Sequence, residues 1–584
     1  MTLIRAKRRF QPPWRIGGRT AISATILWFL PLAFLALFYF LPLASILRLS
    51  FARSEAGLAA PFLSAFASAS VRKVIGFTFG QAALSTLLTL LVGLPGAYLF
   101  ARYRFRGKAL LQALTTIPFV MPTLVVAAAF QALLGPRGWV NLALMALLDL
   151  DAPPLHFGHT VGAILLAHVF YNTTIVLRLV GDFWSHLDPR LASAAQVLGA
   201  NRWQTLSRVL LPLLAPAILS AALLVFLFDF TSFGVILVLG GPRYATLEVE
   251  IYNQTIGFFN LPLAAALSVL QLACTLLLTV IYTRLASRVS RPLGLRSQRA
   301  TQHGLLTRRA RIMGILLVLG LLTLLTSPLL ALAARSFARL EPERADRGPT
   351  ASGWTLDFYR ELGQNRRGSL FYIPPTASVA LSFGYAAATV ALSLALGTPA
   401  AWLLARNSGS ALARVLDPVL MLPLGTSAVT LGLGFIVGLS RSPLDLRASP
   451  VLVPIAHTLV AFPFVVRSLV PSLRSIRPQL RRAAAVLGAP PAEVVRRIDL
   501  PLVGRALLVA AAFAFTISLG EFGATALIAR PEYPTLPLMI YRLLSQPGAL
   551  NYGQAMALST ILMIACAAGM LGIERLRLAQ IGEF

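Results

Sequence analysis

Lysine is almost missing from this chain of 584 residues: there are three, Lys7, Lys73 and Lys108, followed by Arg8, Val74 and Ala109. A phosphate-cradling loop of the form G-x-x-x-x-G-K-[ST] needs lysine followed by serine or threonine, so the chain carries no such loop. Any nucleotide hydrolysis linked to its work belongs to another polypeptide. Cysteine is as scarce: Cys274 and Cys566 fall inside apolar stretches, which excludes a disulfide framework and a cysteine metal site and reads as two buried structural thiols. Charged residues make up 12% of the chain against 57% hydrophobic, with a mean hydropathy of +0.75. That balance lies outside soluble globular domains and belongs to a bilayer.

Acids are outnumbered by bases, 21 to 51, for a net charge of +30. The bases sit in short loops on alternate sides of hydrophobic runs, as the positive-inside rule expects, rather than on one water-exposed face, which excludes nucleic acid as a partner. Runs of about 20 apolar residues predict about twelve spans. In the first half they fall at 22–47, 74–101, 110–134, 158–180, 213–239 and 261–285, and in the second at 312–334, 378–405, 415–439, 451–469, 506–529 and 554–573. The first run is too long for a signal peptide and lacks a small-residue cleavage site, so it reads as a retained span. Arg5, Lys7, Arg8, Arg9, Arg15 and Arg19 precede it without an acid and place the amino terminus in the cytoplasm. The stretch 284–311, with eight arginines and no acid, follows on the same side, while 335–367, with Glu341, Glu343, Asp346, Asp357 and Glu361, faces outward. Both termini are then cytoplasmic.

The halves repeat each other. Gly93-Leu-Pro-Gly-Ala-Tyr-Leu-Phe-Ala-Arg102 returns as Gly397-Thr-Pro-Ala-Ala-Trp-Leu-Leu-Ala-Arg406. At a shift of 289 residues His168 meets His457, Arg178 meets Arg467, Phe233-Gly234 meets Phe522-Gly523 and Ile251-Tyr252 meets Ile540-Tyr541. The chain therefore divides into a first six-span repeat, 1–290, a basic cytoplasmic linker, 291–311, and a second six-span repeat, 312–584. An even number of spans gives both copies the same orientation, so they can pack about an axis normal to the membrane. The fold class is an all-α integral membrane protein built of two tandem six-helix repeats.

Two loops, 188–212 and 477–501, carry the most specific pattern. Ser193-Ala-Ala-Gln-Val-Leu-Gly199 runs on to Val209-Leu-Leu-Pro212, and Arg482-Ala-Ala-Ala-Val-Leu-Gly488 runs on to Ile498-Asp-Leu-Pro501, with glycines and prolines both 289 residues apart. Paired alanines allow close helix approach, glycine can end a short helix in a sharp turn, and proline suits the start of the next helix. Two short helices at an angle are expected, the first offering small and apolar side chains to a partner. The pattern resembles the E-A-A, three residues, G, nine residues, I-x-L-P signature of permease subunits in binding-protein-dependent ABC importers.

That resemblance implies a type I permease fold in a bacterial or archaeal cell membrane. It also implies that Ala194, Ala195, Leu198, Gly199, Ala200 and Pro212, with Ala483, Ala484, Leu487, Gly488, Ala489 and Pro501, form two coupling loops. A cytoplasmic ABC ATPase, in two copies, would seat on them and use the ATP, while an extracytoplasmic solute-binding protein would deliver cargo. The chain itself would be no enzyme and bind no cofactor. The leading glutamate of the pattern is Ser193 in one copy and Arg482 in the other, so any ion pair made by that glutamate is absent or rebuilt.

Two acids stand in predicted spans. Asp229 and Glu521 each cost on the order of 3 kcal/mol if held at mid-helix, so each faces a cavity or a partner. With Ser232 they are candidates for the translocation path, and clamping the bundle is the alternative. His168 and His457 read first as helix-to-helix bonds. Ile117-Pro-Phe-Val-Met-Pro-Thr-Leu-Val-Val126, Gly138-Trp-Val-Asn141, His168-Val-Phe-Tyr-Asn172 and Thr231-Ser-Phe-Gly234 are similar to fused thiamine permeases, which implies thiamine or its phosphate esters as cargo. Fused ferric-iron permeases share the layout, so ferric iron stays open. An ion-coupled secondary transporter of twelve spans in two parallel halves is the alternative from another class. Its loop after the second span would carry an acid-bearing motif; here that loop is Arg102-Tyr-Arg-Phe-Arg-Gly-Lys108.

Overall fold

Hydrocarbon offers no partner to a free N–H or C=O, so a chain that crosses it must bond its backbone internally, and helices result. The computed structural model describes residues 28–51, 67–289, 302–304, 307–339, 353–365, 372–407, 410–439, 446–447 and 449–581. Among these, eleven helices are long and apolar enough to span a membrane. The count is twelve if Ala411–Gly425 and Ala428–Gly438, bent by 96°, form one span. The basic amino terminus, most of the linker 291–311 and the acids 341–346 lie outside the described residues.

The first repeat comprises α1 (Trp28–Phe51), α2 (Ala69–Arg102), α3 (Lys108–Val120), α4 (Thr123–Leu134), α5 (Trp139–Leu148), α6 (Val161–His186), α7 (Arg190–Val197), α8 (Arg202–Phe230), α9 (Gly234–Leu239), α10 (Leu247–Tyr252) and α11 (Leu261–Val289). The second comprises α12 (Arg308–Arg335), α13 (Asp357–Arg360), α14 (Pro375–Arg406), α15 (Ala411–Met421), α16 (Ala428–Gly438), α17 (Leu452–Ser475), α18 (Pro478–Val486), α19 (Ala492–Gly520), α20 (Thr525–Ile528), α21 (Leu536–Leu544) and α22 (Ala549–Ile581). Two short strand pairs join loops: Tyr103–Arg104 runs parallel to His303–Gly304, and Ala338–Arg339 antiparallel to Gly353–Trp354.

Four runs expected as single spans are broken. The run 110–134 stops at Val120 because Met121, which precedes Pro122, is held extended at φ −67°, ψ 132° and cannot continue the helix. The chain restarts at Thr123. Its counterpart, 415–439, breaks before Ser427, whose side chain caps α16 by accepting from Val429 and Thr430 N–H. The runs 213–239 and 506–529 break after Phe230 and Gly520. Hydropathy cannot show such breaks, since the residues on either side are apolar.

The first span of each repeat packs on the other repeat. α1 lies against α16 and α17 of the second repeat as well as α11 of its own, while α12 lies against α4, α3 and α2 of the first repeat as well as α22 of its own. Tyr39 Oη is 2.7 Å from Thr426 Oγ1, and Trp139 Nε1 donates to Ala331 O at 3.1 Å. The α1–α16 seam is tight: a Cβ built on Gly434 would stand 2.9 Å from Pro42 Cβ, and one on Gly438 2.9 Å from Pro42 Cα. Gly434→Val should lower the melting temperature of the purified protein, at a cost of about 1–3 kcal/mol. Gly504→Val, where nothing stands within 4 Å of the added carbon, should leave it nearly unchanged. Equal melting of the two variants in a thermal-unfolding assay would contradict this seam.

Candidate functional site

The two signature loops have the same geometry. α7 ends at Gly199 (φ +89°) and α18 at Gly488 (φ +83°), in the left-handed region where a β-branched residue is strained. Gly199 N donates to Gln196 O at 3.0 Å and Ala200 N to Ala195 O at 3.0 Å; Gly488 N donates to Ala485 O at 3.1 Å and Ala489 N to Ala484 O at 3.0 Å. These are paired 5→2 and 6→1 closures of a Schellman turn, and they consume carbonyls that a helix end otherwise leaves open. The turn aims the preceding residues outward. Val197, Leu198, Val486 and Leu487 are each 87% exposed. Ala194, Ala195, Ala483 and Ala484 lie one turn earlier on the same short helices.

The expected second short helix is not separate from the span. In the first repeat Asn201 opens α8 with a capping box to Gln204, the chain passes through a π-helical turn at Thr205–Leu210, and Pro212 follows inside a continuous 29-residue helix. In the second, the π-turn is Val495–Asp499 and Pro501 follows. Proline has no N–H to give to the preceding turn, and the widened π-turn absorbs that defect without ending the helix.

At the other end of α8 and α19 lie the acids. Neither sits at mid-helix as expected: Asp229 is in the last turn of α8, and Glu521 follows the last residue of α19. Asp229 is fully buried. Its Oδ1 accepts from Asn172 Nδ2 at 2.7 Å and lies 3.3 Å from His168 Nδ1, and its backbone O accepts from Gln81 Nε2 at 2.7 Å. His168 Nε2 is 2.9 Å from Ser232 Oγ, and its Nδ1 is 3.0 Å from Ser85 Oγ. Glu521 reaches forward to cap α20, accepting from Ala524 N at 2.8 Å, Thr525 N at 3.2 Å and Thr525 Oγ1 at 2.6 Å. Its Oε2 is 3.2 Å from His457 Nε2, and His457 Nδ1 is 2.7 Å from Ser518 Oγ.

Asp229 and Glu521 are therefore not counterparts. At the shift of 289, Asp229 corresponds to Ser518 and Ser232 to Glu521. Each histidine bridges one acid and one hydroxyl a turn apart, with the two exchanged between repeats. The shift already contained this exchange, which was hidden by pairing the acids according to their span. Cys566 is buried and Cys274 half-buried, both free.

Sequence reasoning missed three groups. Glu248 is buried in α10, accepting from Gln271 Nε2 and from Ser427 Oγ of the other repeat, both at 2.6 Å. It falls between assigned spans, so it read as part of a loop. Phe233 and Phe522, counterparts in the two repeats, stack at 5.3 Å between ring centroids, flanked by Tyr252 at 5.4 Å and Tyr541 at 5.6 Å. Counterparts can touch only across the pseudo-twofold axis, so these rings mark it. Val197 and Val486 were the third omission.

Residues 90–291 and 397–576 match the model of the binding-protein-dependent transport system inner membrane component family. The chain belongs to this family. It is 30% identical over 506 residues to the thiamine transport system permease protein ThiP of Brucella abortus (strain 2308), covering 86% of this chain and 87% of that one. It is 28% identical over 510 residues to ThiP of Escherichia coli (strain K12), covering 86% and 88%, and 28% identical over 516 residues to ThiP of Haemophilus influenzae, covering 85% and 87%. This chain is thus a multi-pass permease of a binding-protein-dependent importer with the family domain present twice. The ion-coupled alternative falls away.

In this permease Glu521 serves as a cap whose loss has a calculable consequence. Glu521→Ala leaves the buried N–H groups of Ala524 and Thr525 without their acceptor and removes the carboxylate beside His457, a defect on the order of 3–5 kcal/mol, whereas Glu521→Gln retains one carbonyl acceptor and should cost about 1–2 kcal/mol. Thermal unfolding of the purified variants should show that order. Wild-type melting of Glu521→Ala together with altered uptake would instead assign Glu521 to the cargo.

Proposed function

We propose that this chain forms the whole membrane path of an ATP-driven importer of thiamine or its phosphate esters. Two copies of an ATPase would seat on its signature loops, and a binding protein would dock on the opposite face. The observation that carries the motor assignment is the pair of matched Schellman turns, each holding a Val-Leu dipeptide 87% exposed at one end of the bundle. Apolar side chains held out in water at two positions 289 residues apart suit two identical grooves. Support for the cargo comes from the ThiP relatives, whose names specify thiamine transport and whose matches cover 85–86% of this chain.

In this reading the path would follow the pseudo-twofold axis, where the Phe233–Phe522 stack lies with Tyr252 and Tyr541 beside it. A thiazolium cation is compatible with such rings, since their faces attract positive charge. Asp229, Ser232 and Glu521 act beside that path by holding the broken helices in place: Ser232 Oγ and Asp229 Oδ1 meet His168, Glu521 caps α20 beside His457, and the buried Asp229 Oδ2 has no hydrogen-bond partner among the described residues.

Proteoliposomes holding the chain with its ATPase and binding protein should take up labelled thiamine only with ATP. Gly199→Val and Gly488→Val each force a β-branched residue into the left-handed region, costing about 1–2 kcal/mol. Each should reduce ATPase co-purification and uptake by roughly tenfold. Uptake that persists without ATPase, or is unchanged in both variants, would sink the assignment.

Orientation is testable separately. In a background lacking Cys274 and Cys566, cysteines placed at Gly199, Ser297, Gly353 and Gly488 should react with an impermeant thiol reagent in intact cells only at position 353. Labelling at 199 or 488 would invert the topology, and labelling at 297 would overturn the span count.

A further inference from the structure

Beside the first signature loop lies a cavity of about 860 Å³ that none of the contacts above uses. Its wall toward the middle of the bundle is apolar, with Leu94 of α2 and Leu211 and Ile218 of α8. Its loop-side end is aromatic and cationic, lined by Tyr98, Trp184, Arg102 and Arg202. Tyr98 packs against Trp184 at 5.1 Å and Tyr103 at 5.8 Å. Trp184 is 5% exposed, and its indole N–H meets no acceptor among the described residues. A buried donor in that state is costly, and an occupant bearing an acceptor relieves it.

The charge is unbalanced in the same direction. Arg102 is 8% exposed, donating to Leu187 O at 3.2 Å, with Asp188 the acid near it. Arg202 is exposed at the start of α8, while Ser193 and Gln196, which α7 contributes to the lining, are neutral. Among the described residues, two guanidinium groups thus stand beside one carboxylate. The second repeat differs at these positions: Leu473 stands where Trp184 does and Pro491 where Arg202 does, and its own Trp402, whose indole N–H also meets no acceptor among the described residues, has its ring face covered by Arg406 at 4.4 Å.

We propose that this cavity binds one anionic phospholipid, its phosphate held by Arg202, Arg102 and the Trp184 N–H and an acyl chain lying along Leu94, Leu211 and Ile218. The assignment to the inner leaflet rests on the orientation proposed above. There, aromatic residues sit at headgroup level and basic pockets between helices meet anionic lipid. A headgroup lodged under α7 braces one coupling loop and not the other, which makes the two ATPase seats unequal.

The test is lipid retention by the complex of the chain with its ATPase. Nanodiscs of phosphatidylcholine and phosphatidylglycerol mixtures, with the same composition in both leaflets, are exchanged into detergent, and retained lipid is counted by native mass spectrometry. Wild type should retain phosphatidylglycerol in preference to phosphatidylcholine. Arg202→Gln, an exposed position, and Trp184→Phe, which keeps the ring and removes the N–H, should each reduce that preference by about tenfold. Arg414→Gln, an exposed arginine elsewhere, should not. Should Trp184→Phe fail to fold, Arg202→Gln alone decides. Equal retention of the two lipids by wild type, or an unchanged preference in Arg202→Gln, overturns the proposal. Displacement of the lipid by inorganic phosphate alone would assign the site to a free anion and also overturn it. Because retention does not depend on leaflet, an inverted topology in the cysteine assay would remove only the inner-leaflet assignment.

Discussion

Breaking a helix in the middle of a bilayer exposes backbone groups that water cannot reach, and the interior polar chemistry of this protein answers that constraint. Two restarts are met by a side chain from a different element, and two by a residue just before the helix. Leu247 N, opening α10, donates to Thr78 Oγ1 of α2 at 3.0 Å, and Leu536 N, opening α21, donates to Ser382 Oγ of α14 at 2.7 Å. Ser427 caps α16 and is itself tied to Glu248 of the other repeat. Glu521 caps α20. The breaks allow backbone to approach the axis. The polar partners are what make breaks tolerable there.

Duplication lets the two halves solve that constraint with different residues in equivalent geometry. His168 and His457 each span two positions one turn apart, so an acid at either position leaves one acid and one hydroxyl beside each ring. Exchanging Asp229 and Ser232 for Ser518 and Glu521 keeps one carboxylate per repeat while moving it by about 4.5 Å along the helix axis. The shift has a local effect: Glu521 lies beyond its helix and can cap the next one, which Asp229, inside the last turn of α8, does not do. The halves are therefore alike in architecture and unlike in where each holds its negative charge.

Much of this was legible in residue order. The twelve apolar runs, the duplication and the signature loops follow from patterns that composition and spacing preserve, and Gly199 and Gly488 read correctly as turns because no other residue suits a left-handed helix end so well. The breaks were not legible at 231–233 and 521–524, because both sides of each are apolar and hydropathy averages over them. Pro122 could have signalled its break, since the residue before proline resists helix. Glu248 was invisible because its partner Ser427 is 179 residues away. The exchange of first spans between repeats was hidden for the same reason: nothing in α1 itself names the distant helix it packs on.

The seating of each first span on the opposite repeat also limits how the permease can open. With α1 held by α16 and α12 by α4, the halves cannot separate as rigid bodies without tearing both seams. α8 and α19 run through the bundle, packed along their length on α2, α6 and α11 and on α14, α17 and α22, and each joins a signature turn to the polar network. α8 runs 29 residues, Arg202–Phe230, from just past the first signature turn to the turn that holds Asp229, about 43 Å at 1.5 Å per residue. Under the ATPase seating proposed above, a push on Val197 and Leu198 would travel along α8, which resists stretching, to the His168–Asp229 network, except at the π-turn. That turn lies before Pro212, where one backbone bond is already missing, so it is where the helix bends most easily. Loop displacement thus divides into a hinge near the signature and an axial shift at the polar network. The axial part bears on Phe233, four residues beyond Asp229, and α19 brings the same motion to Phe522 immediately after Glu521. The stacked rings on the axis are the point where the two levers meet.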